Sequence, residues 1–223
     1  MSTSQDEPEN IVTIQADGAE LEGNLLIPDG AEGIVVFAHG SGSSRHSPRN
    51  KKVAGDLRER GLATLLFDLL TAEEDKVDRR TREYRFDIPL LADRLAGATD
   101  WLLQQPEAQD LNIGYFGSST GSAAALIGAT RKPEEVDAVV SRGGRVDMAG
   151  DVLDQVRAPT LMIVGGRDPQ VMRLNEEAKP HFNCTAKLEI VEGATHLFEE
   201  PGALDEVALL AGDWFRQHLT SGS

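Results

Sequence analysis

Residues 112–126 read N-I-G-Y-F-G-S-S-T-G-S-A-A-A-L, and three local patterns meet there. Ile113, Tyr115 and Phe116 form a short β-prone apolar run, Gly117-Ser118-Ser119-Thr120-Gly121 interrupts it, and Ala123, Ala124, Ala125, Leu126 and Ile127 begin an alanine-rich helical pattern. The expected local structure is a strand, a sharp turn and a helix, with a GxSxG pattern centred on Ser119. A hydroxyl is a weak nucleophile unless a tight turn presents it to a base and to preorganised donors. Such a turn crowds its neighbours, which small residues at Gly117 and Gly121 relieve. The helix that follows aims free N–H groups and its positive end at the place where an oxyanion would form. Ser119 is therefore the candidate nucleophile, and the N–H of Thr120 a candidate oxyanion donor. The same five residues also fit a turn with no chemistry, so the assignment depends on partners elsewhere in the chain.

Outward from this turn the chain alternates. Residues 11–15 and 21–27 read as a hairpin around Asp17-Gly18, closed by Pro28-Asp29-Gly30. Residues 33–38 are a continuous apolar run, as expected of a strand covered on both faces, and they lead into the glycine-rich loop His39-Gly40-Ser41-Gly42-Ser43-Ser44. A helical pattern over 50–60 precedes a strand over 62–66 that ends near Asp68; residues 71–85 are highly charged; residues 88–103 form an amphipathic helix through Leu91, Leu95, Ala98 and Leu102. Beyond the serine turn, strands are expected over 136–140, 159–164 and 188–191, and a last helix over 201–219. Short strands alternating with helices argue for an α/β fold with a doubly wound parallel sheet, and ligands of such sheets gather beyond the carboxyl ends of the strands. The expected organisation is a disordered lead over residues 1–9, a single domain over 10–219 and a short polar tail over 220–223.

Composition narrows the function classes. The 223 residues carry a formal net charge of −15, a surface that repels nucleic acid and anionic membrane, so neither is expected as a partner. The polar, acidic first ten residues have no apolar core of a signal peptide, and no apolar run approaches the roughly 20 residues of a membrane span. Cys184 is the one cysteine, which leaves no internal disulfide and no cysteine metal cluster. A cytoplasmic protein with no cofactor and no metal is the expectation, since neither HExxH nor a Cys/His cluster occurs.

Partners for the serine appear at the ends of later strands. Asp168 follows an apolar strand through Gly165-Gly166-Arg167, and His196 lies in the small-residue loop Gly193-Ala194-Thr195-His196 after the last strand. His196 would act as general base toward Ser119 and then as acid toward the leaving group, while Asp168 fixes its tautomer. Asp147 and Asp151 are weaker candidates for the acid, and His39, His46, His181 and His218 for the base. Serine, then acid, then histidine is the chain order of α/β-hydrolases. By position, the backbone N–H of Ser41 in the glycine-rich loop would supply the second oxyanion donor.

These residues resemble the α/β-hydrolase superfamily and, within it, the compact, lidless dienelactone hydrolase-like group, over nearly the whole chain from Leu25-Leu26-Ile27-Pro28 to Trp214-Phe215. The resemblance implies an eight-stranded, mostly parallel sheet with one antiparallel strand near its start and helices on both faces. Two departures stand out: dienelactone hydrolases proper use a cysteine where this chain has Ser119, and a glutamate that helps activate it where this chain has Gly40. The expected activity is hydrolysis of a small carboxylic ester, thioester or lactone. An acyltransferase with the same triad and a non-catalytic binding protein of the same fold are the alternatives. Arginines gather in a few loops, and Arg45, Arg142 or Arg145 could steer an anionic acyl group, or else pair with neighbouring carboxylates. Oligomeric state is not legible.

Overall fold

The computed structural model describes residues 10–220, so the expected lead and residues 221–223 of the expected tail lie outside the described residues. Three apolar runs, β3 (Gly33–Ala38), β4 (Ala63–Phe67) and β7 (Thr160–Gly165), are buried at every position, as befits strands covered on both faces. With β1 (Ile11–Ala16), β2 (Ala19–Leu26), β5 (Asn112–Ser118), β6 (Val136–Arg142) and β8 (Ala186–Val191) they form one sheet in the order β1-β2-β4-β3-β5-β6-β7-β8. Only β2 runs against its neighbours; from β4 to β8 all pairing is parallel. The sheet expected from the resemblance is thus present, helices included.

Side chains alternate across it. Ile34 and Val36 face one core, with α3 (Ile88–Leu102) and α4 (Thr120–Arg131); Val35 and Phe37 face another, with α1 (Pro48–Glu59) and α6 (Ala203–Leu219). The period of α3 does what its sequence asks, burying Leu91, Leu95, Ala98 and Leu102. On the other face α6 lies close enough that a Cβ on Gly114 would stand 2.6 Å from the ring of Phe215. Phe37 and Phe116 pack with ring centroids 4.9 Å apart beneath this layer.

Two helices had no apolar signature in the sequence. The charged stretch contains α2 (Ala72–Thr81), started by a capping box: Thr71 Oγ1 accepts from Glu74 N (3.2 Å) and Glu74 Oε2 accepts from Thr71 N (2.8 Å). Asp168 caps α5 (Pro169–Ala178), accepting from Val171 N at 3.4 Å. Between β6 and β7, residues Val146–Gln155 form 3-10 turns on either side of Gly150, whose φ of 64° breaks the helical path. Among the described residues no helix is long and apolar enough to cross a membrane.

Candidate active site

The serine turn sits where β5 meets α4. Ser119 has φ 51° and ψ −118°, a left-handed conformation that costs a non-glycine residue about 1–3 kcal/mol and persists only where the surroundings fix it. Here they do: Ser119 N–H donates to Arg142 O (3.1 Å), and Ser119 O accepts from Arg145 N (3.0 Å) and Ser122 N (3.1 Å). The flanking glycines are needed for space. A Cβ on Gly117 would lie 2.4 Å from Ser122 Cα, and one on Gly121 would lie 2.2 Å from Ala38 O, because the first turn of α4 abuts the end of β3.

Asp168 and His196 are brought together from loops 28 residues apart: Asp168 Oδ2 accepts from His196 Nδ1 at 2.6 Å, with the imidazole 40% exposed and the carboxylate 13%. That contact assigns the Nδ1–H tautomer and leaves Nε2 free as a base. Backbone bonds hold both loops. Gly166 N donates to Val191 O (2.9 Å) and Arg167 N to Ala194 O (2.9 Å), and Gly165 approaches so closely that a Cβ would meet Ala194 O at 2.4 Å. The ring reaches back toward the serine turn: its Cε1 is 3.5 Å from the place a Cβ on Gly143 would occupy, one residue beyond the carbonyl that holds Ser119 N–H. Asp147, the weaker candidate acid, is instead bound to Arg145.

The proposed oxyanion donors also meet. Ser41 N–H donates to Thr120 Oγ1 at 2.8 Å, so the Thr120 hydroxyl ties the glycine-rich loop to the head of α4. Thr120 is the first residue of that helix, and its own N–H has no intrahelical acceptor. Buried His39 fixes the base of the loop: its Nδ1 donates to Gly40 O (3.1 Å) and its Nε2 accepts from Leu69 N (3.1 Å). Burial lowers its pKa, against the pull of the Gly40 carbonyl. Gly40, where the resemblance would place a glutamate, stands so close to the nucleophile that a Cβ there would be 3.3 Å from Ser119 Cβ.

The three arginines named from sequence part company. Arg45 is clamped into the fold: its guanidinium pairs with Asp68 and with Glu22 (2.6 Å), donates to Asn24 Oδ1 (3.1 Å), and its backbone N–H donates to Asp68 Oδ1 (2.8 Å). Arg145 makes a two-pronged contact with Asp147, at 2.9 and 2.8 Å. Arg142, 8% exposed, has no side-chain partner among the described residues, and its Nη1 is buried without a hydrogen bond. Burial first, and then the nearby charge of Arg49, bring its pKa down to about 10. Arg49, which carried no role in the sequence reading, belongs to this setting through position: its neighbour Asn50 accepts from Ser118 Oγ at 3.0 Å. The signal that could have found it is the Ser47-Pro48 helix start, which puts Arg49 in the first turn of α1 at the same rim. Among the described residues no group of three or more His, Cys, Asp or Glu side chains could hold a metal ion.

Sheet order, the strained serine turn after β5 and helices on both faces make this an α/β-hydrolase. The chain belongs to the dienelactone hydrolase family, whose model matches residues 21–218. A dienelactone hydrolase from Anabaena variabilis of known structure is 57% identical and superposes with a TM-score of 0.93, over 95% of this chain and 98% of that one. A putative phosphoribosyl transferase of Mycobacterium tuberculosis is 55% identical over 208 residues, 93% of this chain but 46% of that protein, so the chain spans about half the length of the curated relatives it matches. An esterase domain from a Rhodothermus marinus protein shares the fold, with a TM-score of 0.72 at 20% identity over 93% of this chain and 98% of that one.

Proposed function

We propose that this hydrolase uses Ser119 to cleave a small carboxylic ester, thioester or lactone through an acyl-enzyme. The observation that carries the reading is the 2.6 Å contact between Asp168 Oδ2 and His196 Nδ1, made at the rim where the strained Ser119 turn stands. His196 Nε2 takes the Ser119 proton as Oγ attacks the carbonyl carbon, and Asp168 stabilises the imidazolium. The tetrahedral oxyanion is received by the N–H of Thr120, the first residue of α4; Ser41 N–H, which in this structure donates to Thr120 Oγ1, joins it only once that bond is exchanged for the oxyanion. His196 then protonates the departing alcohol or thiol, and water, deprotonated by the same imidazole, releases the acid.

The phosphoribosyl transferase name belongs to proteins about twice as long. We assign no phosphoribosyl transfer to this chain, because the Ser119 turn and the Asp168–His196 pair suit acyl chemistry on a serine. A cytoplasmic setting, supported by the single, half-buried Cys184, and a small-molecule substrate complete the reading.

The test is a panel of p-nitrophenyl esters of varied acyl length, run on wild type and Ser119→Ala, with a fluorophosphonate as covalent probe. Turnover and labelling in wild type, both lost in Ser119→Ala, are expected. Turnover that survives the substitution would refute the acyl-enzyme.

A further inference from the structure

The sheet ends on β8, which pairs with β7 alone. Thr160 N donates to Thr185 O (2.8 Å) and Gly166 N to Val191 O (2.9 Å). Backbone groups alternate in direction along a strand, so those of Lys187 and Glu189 also face β7, while those of Ala186, Leu188 and Ile190 point outward. Among the described residues no other backbone group pairs with these three. Such an edge is a template for a further strand. Its side chains are sorted as well. Ala186 and Leu188 pack against the core of α3 and α4, only half-buried, as is Ile190. Lys187 and Glu189 lie on the face of Val191 and α6, where Lys187 Nζ stands 5.4 Å from the centre of the Trp214 ring. Both charges are exposed, and among the described residues neither takes part in an ion pair.

We propose that β8 is a self-association surface, pairing antiparallel with β8 of a second copy about a twofold axis at Leu188. Twofold closure requires that whatever residue i meets, its partner meets i in return. Outward backbone groups must also face outward ones, so even-numbered residues stand opposite even-numbered residues. Centring the axis on Lys187 or Glu189 sets like charges face to face, which is destabilising. Centring it on Ala186 or Ile190 leaves about half the strand unpaired. At Leu188 every condition is met: Leu188 faces Leu188, Ala186 faces Ile190, and Lys187 faces Glu189 of the second copy on both sides of the axis. The charged pairs then fall at the non-hydrogen-bonded positions, where opposed Cα atoms are only about 4.5 Å apart. A lysine alone on an edge guards against pairing; with Glu189 two residues on, the same charge selects one register and one partner. The His196 loop follows the carboxyl end of β8, and antiparallel pairing sends those ends in opposite directions. The association therefore stands apart from the serine-hydrolase reading and does not depend on it.

Sedimentation equilibrium of the full chain tests this. One strand edge is a small contact, so a dissociation constant of about 1–100 μM is expected, and the protein is run up to about 1 mM. Lys187→Glu and Glu189→Lys should each weaken dimerisation about tenfold or more, since each sets like charges opposite one another. Both positions are exposed, and thermal melts of each variant separate loss of contact from loss of fold. Mixing the two single variants is the decisive arm. In the mixed pair every glutamate faces a lysine, so a heterodimer should form about as tightly as the wild-type dimer. The double variant Lys187→Glu/Glu189→Lys, which exchanges the two charges, should likewise recover self-association. A wild type that stays monomeric throughout overturns the proposal, as does a dimer that both single variants retain, which would put the contact elsewhere. A mixture that fails to associate, or a double variant no better than the singles, overturns the register centred on Leu188.

Discussion

Two stretches of the same sheet treat charge in opposite ways. On the β1–β2–β4 flank, Arg45, Arg85 and Arg94 are each closed by carboxylates, and Asp78, 1% exposed, accepts from Tyr84 N (2.9 Å), Arg85 N (2.9 Å) and Arg85 Nε (2.7 Å). Over β5 and β6 the polar groups are left open: Arg142 is unpartnered, Ser119 is held in a costly conformation, and the His196 ring is 40% exposed. The flank spends its polar groups on itself and so stabilises; the rim keeps them available for something that arrives. Local rules are broken where function is expected, and kept where the fold needs support.

The sharpest way to break this contrast is at the rim. Ser119→Ala and His196→Ala should each cut kcat by about 10⁴-fold to 10⁶-fold with little change in melting temperature, and the double variant should be hardly worse than either, because the groups act as a unit. Steady-state kinetics and thermal melts check both halves; additive losses would mean that the two side chains do not share one relay. Gly121→Ala tests the scaffold of the same turn. Its new Cβ would meet Ala38 backbone at 2.2 Å, where no side chain can yield, so a loss of about 3 kcal/mol or more is expected by denaturant titration.

On the flank the order of effects reverses. Asp78→Ala strands the Arg85 guanidinium and two backbone N–H groups, and should cost about 3 kcal/mol of stability while kcat falls far less than for the rim variants. Burial pushes the Asp78 carboxyl up, but hydrogen bonds from Arg85 and Tyr84 outweigh it and the net shift is downward. Its contribution is therefore present above its ordinary pKa of 3.8 and is lost only in more acid solution. His39 works in a different window. Burial lowers its folded pKa below 6.5, so the unfolded chain binds the proton more readily and stability falls as pH drops below about 6.5. The slope of melting temperature against pH between 6.5 and 5 should be shallower in His39→Gln; an equal slope would show that the buried ring does not titrate.

What could be read beforehand follows the same division. The fully buried strands and the helix through Leu91, Leu95, Ala98 and Leu102 announce themselves by apolar pattern, and Gly117-Ser118-Ser119-Thr120-Gly121 by the space it must create. Asp168 and His196 could be nominated from strand ends, but the bond between them depends on the close approach of Gly165 to Ala194, which no local pattern encodes. Arg45 and Arg142 look alike in sequence, two arginines after strands. Asp68 and Glu22 separate them, and those come to Arg45 only through the register of β2 on β4.

The helix α2 carries a legible signal beneath its charge, and it yields the smallest effect. Mean charge hid it, yet Thr71-Ala72-Glu73-Glu74 spells a reciprocal cap: the Thr71 hydroxyl takes the Glu74 N–H while Glu74 Oε2 takes the Thr71 N–H. Glu74 also binds Arg94 Nη2 (2.9 Å), so the cap is the point where α2 is fastened to α3 and the flank. Thr71→Ala removes one acceptor and leaves the Glu74–Arg94 pair, for an expected loss of about 1 kcal/mol. Thr71→Ser, which keeps the hydroxyl, should recover most of it. Because the cap lies among the self-satisfied groups, both variants should hydrolyse esters at wild-type rates; a fall in kcat/KM of tenfold or more in Thr71→Ala alone would show that α2 shapes the rim, and the division between a supporting flank and an open rim would have to be redrawn around it.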